Sequence, residues 1–156
     1  MTIPTEGMPV PDFSATMTSG KTFRLSDFRS ERALVLYFYP KDSTPGCTTE
    51  GLDFSAHYAE FQTAGVDIFG ISRDGLKSHE NFKAKQNFPF ELIADPEEQI
   101  CQLFDVIKMK NMYGKQVRGI ERSTFLIDQQ GILRHAWRKL SVKGHVAEVL
   151  AAAQAL

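Results

Sequence analysis

The chain has 156 residues, 42% of them hydrophobic and 24% charged, with 18 Lys and Arg against 19 Asp and Glu for a formal net charge of -1. That length suits one compact core, so a single domain over 1–156 is expected, and the composition excludes a disordered chain. So balanced a charge excludes nucleic acid and anionic membrane as partners, and no apolar run approaches the ~20 residues of a membrane span. Met1-Thr2-Ile3-Pro4-Thr5-Glu6 lacks a basic segment followed by an apolar core, and two cysteines make no secreted disulfide framework. A cytoplasmic, reducing setting is therefore expected.

Residues 1–12, with Pro4, Pro9 and Pro11, read as an extended lead-in. The segments 13–17 and 22–25 flank Ser19-Gly20-Lys21, which predicts a hairpin standing as an antiparallel appendage, followed by a helical turn at 26–29. The uncharged, β-branched and aromatic run over 33–39 predicts a strand buried on both faces. Apolar positions Cys47, Gly51, Phe54, Tyr58 and Phe61 recur at spacings of four and three, predicting one helix face from 47 to 63, with Gly65 as its stop. A strand over 66–72, a largely solvated helix over 76–87 and a short strand over 91–94 follow. Asp95-Pro96 predicts a helix opening through about Phe104. Residues 105–121, with Lys108, Lys110, Lys115 and Arg118, show weak periodicity and are expected to form a long functional or mobile loop. The segments 123–128 and 132–137 surround Gln129-Gln130-Gly131 as a second hairpin, and 145–156 is helical. This succession resembles an α/β, thioredoxin-like fold with an N-terminal hairpin extension and a central mixed sheet flanked by helices.

The chemistry concentrates where the buried strand ends. Pro40 closes the strand, Thr44 can serve as an N-cap, Pro45 suits the first helical position, and Cys47 falls in the first turn. An ordinary thiol, with a pKa of ~8.5, is only a few per cent ionised at pH 7, whereas the first turn offers unpaired N–H groups and a favourable dipole. Gly46 and Cys47 supply the nearest free amides, since Pro45 has none. A buried structural cysteine is the alternative reading, but it does not account for strand, proline and cap converging on one thiol.

Pro40, Thr44 and Cys47 form a Pro-x3-Thr-x2-Cys arrangement, and Glu121-Arg122-Ser123-Thr124-Phe125-Leu126-Ile127-Asp128 follows later. Together they resemble the peroxiredoxin signature. Phe38-Tyr39-Pro40-Lys41-Asp42 and Thr44-Pro45-Gly46-Cys47-Thr48-Thr49-Glu50 are most similar to the bacterioferritin comigratory protein branch, also called peroxiredoxin Q. The resemblance implies that Cys47 is the peroxidatic residue, attacking hydrogen peroxide or an organic hydroperoxide and becoming a sulfenic acid. It further implies that Thr44 and the backbone amides hold the peroxide oxygens, Pro40 shields the pocket, and Arg122 stabilises the thiolate and the developing charge. Glu50 resembles a recurrent family position that orients Arg122. A first-turn acid favouring the helix dipole explains it equally well, so it is left outside the catalytic set.

One departure concerns the resolving thiol. Members of this branch carry it five residues after the peroxidatic cysteine, here Leu52, or on the following helix, where 76–87 has none. Cys101 beside an apolar helical face reads as a buried small residue. A one-Cys cycle is therefore expected, with a small thiol or a thioredoxin-like or glutaredoxin-like protein as reductant, no cofactor or metal, and a monomer or weak homodimer. A Cys-x-x-Cys oxidoreductase is set aside because Glu50 occupies the second position. A Cys–His hydrolase would need His57, His79, His135 or His145 to meet Cys47. A peroxide-sensing interaction module without turnover is the alternative from another class, with Trp137 and the basic segment from Lys108 to Arg122 as a partner surface.

Overall fold

The computed structural model describes residues 3–156. Its elements are β1 (Ser14–Met17), β2 (Lys21–Arg24), a 3-10 turn (Leu25–Phe28), β3 (Ala33–Phe38), α1 (Pro45–Ala56), α2 (Tyr58–Thr63), β4 (Val66–Ser72), α3 (Leu76–Gln86), β5 (Glu91–Ala94), α4 (Gln99–Leu103), β6 (Ile107–Met112), β7 (Lys115–Ile120), β8 (Ser123–Ile127), β9 (Leu133–Arg138) and α5 (His145–Gln154). Seven strands form one mixed sheet in the order β2-β1-β5-β4-β3-β8-β9. The three central strands β5, β4 and β3 run parallel, while β1 and β8 join either side antiparallel. Of the expected lead-in, residues 1 and 2 lie outside the described residues. Further along, Gly7 and Val10 donate to the carbonyls of Leu133 and Gly131 at 2.8 and 2.9 Å.

The period-two alternation of β3 divides the core. Leu34, Leu36 and Phe38 enter one cluster, packed beneath Phe13, Phe23, Cys101, Phe104 and Phe125. Val35, Tyr37 and Tyr39 enter the other, with Cys47, Phe54, Phe61, Phe82 and Val149. Burial of each such side chain stabilises by roughly 1.5–3 kcal/mol, and both faces of β3 are covered, as its uncharged sequence requires. Cys47 and Cys101 therefore lie on opposite faces of the sheet.

Four expectations are corrected. The N-terminal hairpin is no appendage, because Met17 pairs with Ile93 and the Thr18 amide donates to the Leu92 carbonyl at 3.0 Å, making β1 and β2 part of the main sheet. The helix over 47–63 is two helices, broken at His57 (φ -105°, ψ 10°). Ser55 Oγ donates back to the Gly51 carbonyl at 2.8 Å, a bond that bends helices. Beyond Asp95, α4 starts only at Gln99. The Asp95 carboxylate still caps it, reaching past the intervening turn to accept from the amides of Ile100 (3.2 Å) and Cys101 (2.7 Å). Residues 105–121 are an ordered hairpin, β6 and β7, turning at Tyr113 (φ 54°) and Gly114 (φ 81°), the two positive φ values of a type I′ turn.

Candidate active site

Each part of the site is set by where its element ends. β3 runs out at Tyr39, whose ring is buried and whose amide still donates to the Ile71 carbonyl at 3.1 Å. The next residues are anchored through Asp42. Its carboxylate accepts from Tyr39 Oη (2.6 Å), Ser78 Oγ (2.8 Å) and His79 Nδ1 (2.8 Å), while His79 Nε2 faces the Ile93 carbonyl at 2.9 Å. Both ring nitrogens of His79 are thus engaged, one by Asp42 and the other by the Ile93 carbonyl. Burial pushes the Asp42 carboxyl up, but the donors from His79, Tyr39 and Ser78 outweigh it and hold the group below the usual range. The Asp42 amide in turn donates to Asp74 Oδ2 at 2.9 Å. The chain entering α1 is thereby pinned to α3 and to the ends of β4 and β5.

Thr44 takes the N-cap position with extended backbone (φ -85°, ψ 155°) and Pro45 follows at the first helical position, as expected. The Thr44 hydroxyl does not cap the helix. It donates to the Lys41 carbonyl at 2.8 Å, which commits its only proton and leaves its oxygen as an acceptor. Gly46 and Cys47 occupy the first turn, where amides have no intrahelical partner. Cys47 is 2% exposed. Pro40 is half-buried and lines a groove with Lys41, Arg73, Asp74, Pro96 and Glu98.

Arg122 reaches this turn from the start of β8. Its Nη2 donates to Cys47 Sγ at 3.4 Å and its Nη1 to Glu50 Oε1 at 2.6 Å. A Cβ on Gly46 would stand 3.2 Å from Nη2, tight enough that the guanidinium would have to give by a few tenths of an ångström. Glu50 is fully buried, and its Oε2 has no partner. Burial pushes its carboxyl up to about 7, against the charge and hydrogen bond of Arg122 that pull it down. Burial disfavours the Arg122 cation as well, but Glu50 and Cys47 outweigh it and keep the guanidinium charged.

The geometry thus gathers Cys47, Arg122 and the residue set aside from sequence, Glu50, into one hydrogen-bonded chain, with Thr44 at the helix entrance. The sequence reading named Gly46 as an amide donor and left Glu50 outside the catalytic set, whereas the geometry joins Glu50 directly to Arg122. The available signal for Glu50 was its place one turn past Cys47 on a face that the apolar spacing marks as buried. Cys101 is fully buried, and burial followed by the Asp95 carboxylate pushes its thiol well up. No histidine hydrogen-bonds Cys47 among the described residues. His79 and His145 are core groups bound to Asp42 and Thr124, and His57 bonds Glu60 at the surface.

A thiol under a guanidinium at a helix N-terminus is built for nucleophilic attack with charge developing on a departing oxygen. Comparison with known proteins points the same way. The AhpC/TSA family matches residues 7–136. "Peroxiredoxin Bcp" of Xanthomonas campestris is 64% identical over 122 residues, covering 78% of this chain and 76% of that protein, and "Peroxiredoxin Bcp" of Bacillus subtilis is 48% identical over 144 residues, covering 92% and 91%. The solved structure of Xanthomonas campestris peroxiredoxin Q superposes with a TM-score of 0.87 at 56% identity, covering 92% of this chain and 90% of that one. A cysteine mutant of Xylella fastidiosa PrxQ gives 0.92 at 42% identity, covering 99% and 98%. Bacterioferritin comigratory protein from Xanthomonas campestris is described in terms of alkyl peroxide reduction. With its mixed sheet, its buried first-turn cysteine under Arg122 and these relatives, the chain belongs to the AhpC/TSA family and is a peroxiredoxin of the Bcp type.

Proposed function

We propose that the chain, as one thioredoxin-like domain over 1–156, reduces hydrogen peroxide and organic hydroperoxides through a one-Cys cycle at Cys47. The observation that carries this reading is the Arg122 guanidinium held between Glu50 and the Cys47 sulfur. The Cys47 thiolate attacks one peroxide oxygen, the S–O bond forms as O–O breaks, and the departing alkoxide or hydroxide takes a proton to leave as alcohol or water. The Thr44 oxygen is free to accept the hydroperoxide proton, while the Gly46 and Cys47 amides and Arg122 donate where negative charge grows. Such donors are worth most there, because lowering a thiol's basicity alone also lowers its nucleophilicity. Pro40, at the head of this segment, has the shielding role.

The resulting sulfenic acid is reduced by an external thiol, either a small molecule or a thioredoxin-like or glutaredoxin-like protein. Support for this comes from the second cysteine, buried on the far side of the sheet from the first. No described helix is long and apolar enough to cross a membrane, and a cytoplasmic monomer or weak homodimer is the setting we assign. Without a fast reductant, oxidation proceeds to sulfinic acid. The test is mass spectrometry after one peroxide equivalent and a sulfenic-acid trap, on the parent chain and on Cys47→Ser and Cys101→Ser. We expect an adduct on Cys47 alone and sustained turnover by Cys101→Ser with added thiol. A Cys47–Cys101 disulfide, or lost turnover in Cys101→Ser, overturns the one-Cys cycle. Consumption that stops after one equivalent despite excess thiol marks a sensor instead.

A further inference from the structure

Arg122 has a second side. Besides bonding Glu50 and Cys47 it lines a groove of about 360 Å³ with Lys108, Met109, Lys110, Glu121, Lys139 and Leu140, between β6 and the segment that follows β9. Four cations face one carboxylate there. The Lys108 ammonium is engaged by Asp105 at 3.0 Å and Arg122 by Glu50, but Lys110 and Lys139 form no ion pair among the described residues. Lys110 is half-buried, and its basicity is lowered by burial and by Arg122, while Glu121 and Cys47 work in the opposite direction. It shares the groove with that guanidinium. Met109 and Leu140 add apolar lining.

Resting on the one-Cys reading above, we propose that this groove seats the thiol that reduces Cys47, and that it selects small thiols carrying a carboxylate, held by Lys110 and Lys139. A sulfur that is 2% exposed and has no partner cysteine on its own face of the sheet must receive its reductant from outside. The groove is a concavity that shares Arg122 with that sulfur. In the step itself, the incoming thiolate attacks the sulfenic sulfur, an S–S bond forms, and the S–O bond breaks. Hydroxide leaves and is protonated to water. The Cys47 sulfur is reduced to the disulfide level as the incoming sulfur is oxidised to it, and a second thiol then frees Cys47 by exchange. Two unpaired cations lining the groove favour an anionic reductant by raising its local concentration, an effect that salt weakens.

The experiment isolates the reductive step. The chain is first oxidised with one equivalent of hydrogen peroxide, then mixed by stopped flow with 3-mercaptopropionate, 2-mercaptoethanol or cysteamine. Rates are expressed per thiolate and normalised to each thiol's rate with a small neutral disulfide. We expect 3-mercaptopropionate to exceed 2-mercaptoethanol by roughly tenfold, with cysteamine slowest. The order should compress toward unity at about 1 M salt, where the screening length is about 3 Å. It should collapse to about twofold or less in a Lys110→Gln/Lys139→Gln double variant, which keeps the parent rate of sulfenic acid formation with hydrogen peroxide. Equal normalised rates for the three thiols overturn the proposal, as does an order that survives in the double variant. A double variant slowed equally in oxidation by hydrogen peroxide overturns it too, because the lysines would then act on the Cys47 sulfur and not on the reductant. Failure of the parent chain to form a sulfenic acid at all would instead overturn the peroxidase reading.

Discussion

Arg122 does two things that a lysine could not do together. Its planar fork donates through Nη1 to Glu50 and through Nη2 to Cys47, so the carboxylate fixes the plane in which the second donor meets the sulfur. An ammonium offers a point charge and no such plane. Arg122→Lys should therefore keep the net charge yet lower the second-order rate of Cys47 with hydrogen peroxide by ~10²-fold, the scale of losing one aligned donor to a developing oxyanion. Stopped-flow oxidation measures it, and a rate within twofold of the parent would show that charge alone suffices. Of this arrangement the sequence makes Cys47, Thr44 and Arg122 legible, because a first-turn cysteine after a capped proline is a local pattern and the later Arg-Ser-Thr segment resembles a family motif. Glu50 was ambiguous for a physical reason. Read from sequence it could be a first-turn acid favoured by the helix dipole, but α1 begins at Pro45 and carries no acid in its first turn, and Glu50 one turn further on is buried against Arg122.

The site depends on how α1 seats against the sheet, and Gly51 decides that. A Cβ built there would lie 2.4 Å from Phe88 Cζ, inside a ring that stacks on Phe90 and meets Phe82 edge-on. Phe88 is buried and packed on both of those rings, so Gly51→Ala should destabilise the chain by about 1–3 kcal/mol despite alanine's better helix propensity. Urea unfolding would register this as a lower midpoint at unchanged slope, and an unchanged midpoint would mean that α1 can shift outward. The elements least legible from sequence were the shortest or most solvated. β6 and β7 read Ile-Lys-Met-Lys-Asn-Met and Lys-Gln-Val-Arg-Gly-Ile, with most positions exposed, so no buried face imposes an alternation. What holds them is long range. Arg118 and Arg73 both bind Glu98 beside α4, and the Glu121 amide donates to the Val106 carbonyl at 2.7 Å. β3 shows the converse, since burial on both faces leaves its signature in composition alone.

Two buried groups set the pH response of the whole molecule, and they oppose each other. Glu50 is pushed up to about 7 by burial, so the folded chain binds more protons than the unfolded one between about 4.5 and 7, and stability falls as pH rises through that window. His145 is pushed down to about 4 by burial, with Glu148 opposing, so the folded chain binds fewer protons between about 4 and 6.5 and stability rises with pH. Each shift corresponds to about 3 kcal/mol in order of magnitude. The depressed Asp42 gives stability that is present above the ordinary carboxylate range and lost only in more acid solution. Parent stability should consequently vary little from pH 5 to 6.5. Glu50→Gln should make it climb with pH across that interval, and His145→Gln should make it decline. Denaturant titrations at several pH values read the slopes, and parallel profiles for all three proteins would refute the assignment.

The division of the core by β3 has one more consequence. Cys47 lies under Arg122 at the mouth of α1, whereas Cys101 is sealed in the opposite layer among Phe38, Phe104 and Phe125. A covalent mark on the first sulfur records an encounter of the intact molecule. The same mark on the second is a trace of that layer having come apart, so the two thiols keep separate histories of what each chain has undergone.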